Sequence, residues 1–390
     1  MRRPARSAVT AMALATVALI AGCGSAAPAT GGPAAEAPPA GAPFLATSLA
    51  TAAGTWAVAV MGGSVAAHDN FWQLFARPAG SPRWKLVTPP GTPDNGGLVL
   101  AGADRLMIAG FRPSQFLTYT PLSATADGGQ AWSSTGPLDG ALANVPDALA
   151  AAPGTGHLLA LLTDGTAALA APSGYASWST LATLRTLAAT SPGGRCGLQN
   201  LTAVAFGPSG QPLLGGTCRH PGTAGIFTET SGTWQAAGPP LPPALAGQAV
   251  RVLRLTSTAN RIVALLAAGS GPSTRLLTAW SSGNGSQWAL SPPLPLNGAG
   301  LVSASFGPAG TAAVVLTGSH GATLAGPGAL WRALPPLPPG TATLAPGPGA
   351  GLDALAVHRT ILTVWHLAPG SGAWAKTQAI NVPIQFGSSA

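Results

Sequence analysis

Apolar positions along this chain fall into short runs that are broken by Gly and Pro rather than by charge. Two stretches one hundred residues apart show the pattern best: LTAVAFGPSG (201–210) and LVSASFGPAG (301–310). Each is a run long enough for one strand, closed by a Gly-Pro turn. DALAAAPGTG (147–156) and TATLAPGPGAG (341–351) are looser copies. A second apolar run follows each copy (QPLLGGT, TAAVVLTG, HLLALLTDG, GLDALAVH). A third comes next (AGIFTETSG, ATLAGPG, TAALAAPSG, TILTVWHLAPGSG), and then a strand carrying Trp (TWQAAG, LWRALP, SWSTLA, AWAKTQ). One unit is therefore four short strands joined by tight turns.

Trp84, Trp132, Trp178, Trp234, Trp288, Trp331 and Trp374 close such units, at spacings of 48, 46, 56, 54, 43 and 43 residues. Four strands repeated at this period are the pattern of a β-propeller. The expected fold is all-β, with seven four-stranded antiparallel blades near 46–90, 96–138, 146–185, 200–239, 248–292, 300–336 and 341–386. The stretches TPPGTP, GPPLPP, SPPLPL and LPPLPP follow several of the Trp strands. Proline cannot donate to a ladder, so these stretches end one sheet and carry the chain to the next. Trp56, Trp72, Trp280 and Trp365 fall on second or third strands, as packing between blades. With 11 Trp and 46% hydrophobic residues the chain has a core to build, so its 53 Gly and 39 Pro read as turns rather than disorder.

Between the third and fourth strands of the second blade lies TADGGQAW (125–132). It resembles the Asp-box, or BNR repeat: Ser/Thr, Asp two residues on, Gly two further, and Trp three beyond that. The matching positions are Thr125, Asp127, Gly129 and Trp132. SSGNGSQW (281–288) keeps Ser281, Gly285 and Trp288 but has Gly283 at the Asp position. The resemblance implies a hairpin turn on the rim away from the ligand mouth, with Asp127 accepting turn amides, Gly129 at positive φ and Trp132 buried between sheets. Asp127 is thus expected to be structural. The whole stretch 46–386 resembles a BNR-repeat propeller of the sialidase-like or YCF48-like kind.

The N-terminus changes the picture of location. Arg2, Arg3 and Arg6 precede the apolar segment AVTAMALATVALIAG (8–22), which is short for a bilayer span. It ends in LIAGC, which resembles a bacterial lipobox. The resemblance implies a signal peptide over 1–22, cleavage before Cys23, and lipid on its thiol. Residues 23–43, rich in Ala, Pro and Gly, then read as a tether to a domain over 44–390 on the outer face of the cell membrane. Loss of the three Arg leaves 15 basic against 10 acidic residues, scattered rather than clustered. No nucleic-acid partner is expected from that distribution, and the domain is expected to be monomeric.

Candidate chemistry is sparse. Cys196 and Cys218 remain after lipidation, and two Cys in an exported chain suggest a disulfide. Counting strands puts both on one rim, where first strands begin and second strands turn into third. On that rim fall Asp147, Arg219, His220 and Arg251, the candidate ligand-binding residues. Thr202, His68, Asp69, Arg112, His320, His358 and Arg359 occupy equivalent positions. Neither a metal nor a cofactor is expected. His68, His320 and His358 share the rim, but the spacing fixes no distance between them.

A sialidase needs an arginine triad, a Tyr nucleophile with its Glu, and an Asp acid/base. The chain has Tyr119 and Tyr175, with Glu36 in the tether and Glu229 on a third strand; FRPS (111–114) is a poor match to Arg-Ile-Pro. An ordinary glycosidase needs two opposed carboxylates, and only Asp147 falls at the mouth. The expected function is therefore binding of a protein or glycan partner by a lipid-anchored domain. A diverged sialidase-like hydrolase is the alternative, and an envelope-assembly factor the second.

Overall fold

The computed structural model describes residues 46–383 apart from 64–69, 91–96, 112–117, 221, 259, 284, 348 and 349. The signal segment, Cys23 and the tether lie outside the described residues, as do His68, Asp69 and Arg112. The fold is a β-propeller. Four-stranded antiparallel units follow one another along the chain: I (47–86), II (98–134), III (149–183), IV (198–236), V (250–295), VI (301–333) and VII (341–381). Within each unit the strands pair in chain order. Units IV and V are joined into one larger sheet, because Thr217 and Cys218 of the second strand of IV also pair with Arg251 and Val250 of the first strand of V.

The first strands gather around the axis. Those of I, VI and VII touch one another, as do those of II and III, III and IV, and IV and V. First and second strands are covered on both faces, so they read as continuous apolar runs rather than as alternation. Gly54–Gly62 and Arg261–Ala268 are examples. Fourth strands are mostly solvated, and five of the seven are short, as in Thr233–Ala236.

Apolar clusters fill the seams between neighbouring units, one of them spanning both the II–III and the III–IV seam. Trp56 and Leu74 meet Leu98 and Phe111 between I and II. Leu253 and Trp280 meet Phe306 and Leu324 between V and VI. The ring is closed by Ala57, Met61, Phe75 and Trp84 of I against Ala345, Leu355, Leu362 and Val364 of VII. The Gly-Pro repeats form one recurring turn. Gly207 N–H donates to Gln211 O and Gly307 N–H to Thr311 O, both at 2.8 Å, and Gly210 and Gly310 close the turns at φ 80° and 78°. The third copy repeats the bond from Gly347 to Gly351 at 2.9 Å.

The all-β expectation needs one correction. Residues that enter unit IV form two short helices, α1 (Leu184–Ala188) and α2 (Ser191–Cys196), so Cys196 sits on a helix rather than in a loop. Thr183 and Thr186 form a capping box on α1. The Thr190 hydroxyl caps α2, and Gly197 ends it in the left-handed region at φ 62°. Helices of five and six residues show no usable periodicity in a sequence.

Candidate functional site

Asp147 precedes the first strand of unit III, and its carboxylate points into the hub rather than to solvent. Its oxygens accept from Nε of Arg254 at 2.9 and 2.8 Å, from Nη2 at 2.8 Å and from the backbone N–H of Leu255 at 2.7 Å. Nη1 of Arg254 reaches on to Thr47 Oγ1 and to the carbonyl of Ala304. The pair thus ties together units III, V, I and VI, and both side chains are almost wholly buried. Beside it is a narrow cavity of about 70 Å³, lined among others by Leu49, Leu100, Leu149 and Phe206. The expectation of Asp147 as a mouth acid is corrected here: its charge is consumed by a bidentate partner the sequence reading did not name. Arg254 lies in the middle of an apolar run, where only its charge, not its neighbours, marks it.

The Cys196–Cys218 disulfide is present, with Cα atoms 5.1 Å apart, and fastens α2 to the second strand of unit IV. Arg219 and His220 follow it and are both exposed. With the Gln199 amide turned so that its oxygen faces Arg219, that oxygen accepts from Nε and Nη2 at 3.2 and 2.9 Å. The His220 ring lies 3.3 Å from the carbonyl of Arg195 and covers Gly197. Arg251 is half-buried, and its Nε has no solvent contact and no hydrogen-bond partner among the described residues. Desolvation pulls its pKa below the ordinary arginine value. Along the strand Arg251 lies three residues from Arg254, roughly 10 Å. The structure therefore groups Arg219, His220 and Arg251 on one rim and sets Asp147 apart, deeper along the axis. Exposed Arg185 and Arg195 on the helices join that rim.

On the opposite rim the turn at 125–132 is a closed hydrogen-bonded loop. Asp127 Oδ1 accepts from the Thr125 hydroxyl at 2.8 Å and from Gln130 N–H at 2.9 Å, and Oδ2 from Ala131 N–H at 3.0 Å. The Ala131 amide, then the Thr125 hydroxyl, hold its carboxyl below the usual 3.8. Gly129 has φ 84°, and a Cβ there would fall 2.7 Å from Val87 Cβ. Trp132 is half-buried, edge-on to Trp56 with ring centroids 6.3 Å apart, and its indole N–H donates to Val87 O at 2.9 Å. A cleft of about 660 Å³ between I and II passes this turn, flanked by Lys85 and Arg105.

The residues a sialidase would need are dispersed. Tyr175 is buried, its hydroxyl donates to Gly156 O at 2.9 Å, and burial raises its pKa. Tyr119 is exposed on the small pair of strands Tyr119–Thr120 and Leu138–Asp139. Glu229 binds the N–H of Gly232 across an outer turn. The other enclosed acid among the described residues, Asp353, lies at the seam of I and VII, bound to Arg77, to Trp84 Nε1 at 2.8 Å and to His366 Nδ1 at 2.8 Å. No group of three or more metal-ligating side chains occurs among the described residues.

No family model and no curated protein matches the chain. Solved structures do. One is a provisionally assigned 6-phosphogluconolactonase of Bacteroides uniformis, at TM-score 0.53 and 12% identity over 83% of this chain and 96% of that one. Another is a protein of Lactobacillus plantarum, at TM-score 0.51 and 9% identity over 84% and 96%. YCF48 from Cyanidioschyzon merolae is similar at TM-score 0.45 and 14% identity over 84% and 94%. For the first two, at these identities, the likeness is one of fold.

Proposed function

We propose that this chain is a lipid-anchored propeller whose seven blades, units I to VII, form a closed ring that binds a protein or glycan partner without turning it over. The binding face is the rim holding α1, α2, Arg219, His220 and Arg251. The observation that carries this reading is the fate of the two carboxylates enclosed among the described residues. Asp147 and Asp353 are each locked to an arginine and a second donor, so each is a strut and not a free acid or base. The rim, in contrast, keeps cationic side chains at its surface. The neighbours named as 6-phosphogluconolactonases share fold alone with this chain, and lactone hydrolysis needs a base that neither strut supplies. The turn at 125–132 belongs on this reading to the Asp-box class, a structural device on the far rim.

Two experiments test the proposal. Charge reversal at Arg219 is expected to weaken partner binding at least tenfold in the full chain while the melting temperature holds; unchanged binding would discard the face. Replacement of Cys23 by Ala is expected to release the protein from the membrane fraction; a variant that stays bound as before would discard the anchor.

A further inference from the structure

The two rims of the ring differ in charge. Among the described residues, Arg185, Arg195, Arg219, Arg251, Arg275 and Arg359 lie on the rim of α1 and α2, on the helices, at strand starts or at turns. Four are exposed, and Arg251 and Arg275 are half-buried. Two exposed carboxylates, Asp139 and Asp164, stand against them, an excess of 6 − 2 = 4 positive charges. Asp147 is left out because Arg254 neutralises it. On the opposite rim Arg83, Lys85, Arg105 and Arg261 stand with Asp104, Asp127 and Glu229, an excess of 4 − 3 = 1. Arg332 and Lys376 lie on the outer edge strands of VI and VII. The described ion pairs join Arg77 to Asp353, Arg254 to Asp147 and His366 to Asp353, so none of them holds a rim arginine.

Apolar exposure follows the same rim. Of the described residues, Tyr119, Leu330 and Ile361 are the large hydrophobic side chains left in solvent. Tyr119, 43% exposed, stands beside Asp139 on the small strand pair of II, and Ile361, 41% exposed, follows Arg359 at a turn of VII. Both are on the arginine rim; Leu330 is on the other. The chain also enters the ring from the arginine side. Thr47 pairs with Val58, and the second strand of I runs four residues further to Gly62, whose N–H donates to Arg359 O at 2.9 Å. The first strand, Thr47–Thr51, therefore runs away from the arginine rim. Its start is 47 − 23 = 24 residues from Cys23, and a Gly- and Pro-rich tether of that length spans roughly 25 Å on average. An anchor at Cys23 thus favours this rim facing the bilayer. The arginines are spread from III to VII, which suits an extended anionic surface better than one small anion. Resting on the anchored binding reading above, we propose that the α1–α2 rim docks on anionic lipid headgroups. Arg195, Arg219 and Arg359 then take phosphates, and Tyr119 and Ile361 enter the boundary between headgroups and chains. The partner of that reading competes with lipid for Arg219.

The test places the full lipid-bearing chain in vesicles of phosphatidylcholine, alone or with phosphatidylglycerol. Phenylglyoxal labelling of the arginines is followed by mass spectrometry. With phosphatidylglycerol, labelling of Arg195, Arg219 and Arg359 is expected to slow by about fivefold or more, and high salt to remove the effect. Labelling of Arg83, Arg105 and Arg261, on the opposite rim, is expected to hold. Equal labelling of the two rims in these vesicles, or the same slowing on phosphatidylcholine alone, would overturn the proposal. A second arm combines Arg195→Glu with Arg359→Glu, both exposed positions. It is expected to restore fast labelling of Arg219 at an unchanged melting temperature; Arg219 still slow would overturn headgroup recognition. Equal labelling of the rims with Arg219-dependent partner binding intact would sink this inference and leave the binding face standing. Slow labelling of the arginine rim with no Arg219-dependent partner binding would do the reverse.

Discussion

The seams of the ring are closed in two ways, and the difference shows what the repeat supplies and what it does not. At four of the ordinary seams, I–II, IV–V, V–VI and VI–VII, the closing Trp of one unit reaches back to the chain just after the closing Trp of the unit before. Trp132 donates to Val87 O, Trp288 to Ala237 O at 2.7 Å and Trp331 to Pro292 O at 3.1 Å, each acceptor three or four residues beyond the preceding Trp. Trp374 follows with a longer bond to Pro335 O at 3.4 Å. One residue type at one spacing thus serves both as core and as latch. Trp178 departs from this and donates to Tyr175 O within its own unit.

At the seam of I and VII the two units are not consecutive in sequence, and the latch is rebuilt from side chains. Trp84 Nε1 goes to Asp353 rather than to a carbonyl, and Gln378 takes both the N–H and the C=O of Trp84 at 2.9 and 2.8 Å. Gln378 stands four residues after Trp374, where the backbone acceptor stands elsewhere. Arg77 lies over the Trp84 ring at 5.5 Å and binds Asp353. The closing seam is therefore specific where the others are generic. Its network is buried and charged, so it should be the less forgiving of the two.

The largest effect should come from Asp353→Ala, which leaves Arg77 and the Trp84 indole buried without their acceptor. A loss of about 3–5 kcal/mol is expected by chemical denaturation. Trp132→Ala removes a half-buried ring and its bond at an ordinary seam, for about 3 kcal/mol. If it costs as much as Trp84→Ala, whose ring is fully buried, the contrast between seams fails. Replacing Cys196 and Cys218 with Ala should cost roughly 3 kcal/mol on the loop-entropy account. It should also raise proteolysis within 184–197, where the disulfide fastens the helices. Trp132→Phe keeps most of the ring and loses the bond to Val87 O, for about 1 kcal/mol.

Asp127→Asn should be the mildest. Its carboxyl pKa is depressed in the folded state, so its contribution is present above the unfolded value and is lost as pH falls through the folded one. The gap between parent and variant stability should therefore shrink on acidification below the usual 3.8. A gap that widens there would contradict the role of the Ala131 and Thr125 bonds.

The repeat was legible because each unit spells its strands, Gly-Pro turns and closing Trp in order, and the disulfide because two Cys fell at one rim by strand count. The helices before Cys196 were not legible, since Thr183, Thr190 and Gly197 are good caps on segments too short to show a period. The site was read least well. Asp147 and Arg254 are 107 residues apart in sequence, and nothing local says that one points at the other. Arg251 and Arg254 look alike in the strand VRVLRLTST. A β-bulge between Val252 and Arg254 resets the alternation, so the two arginines share a face and differ in their place along the strand, Arg251 at the rim and Arg254 in the hub.

Binding without turnover requires Asp147 to be a strut. Asp147→Asn in the full chain, followed by thermal unfolding and by turnover of fluorogenic glycosides, measures that directly. The expected result is a clear drop in melting temperature, with no hydrolysis above background by either parent or variant. Hydrolysis by the parent that disappears in a variant of unchanged stability would contradict it.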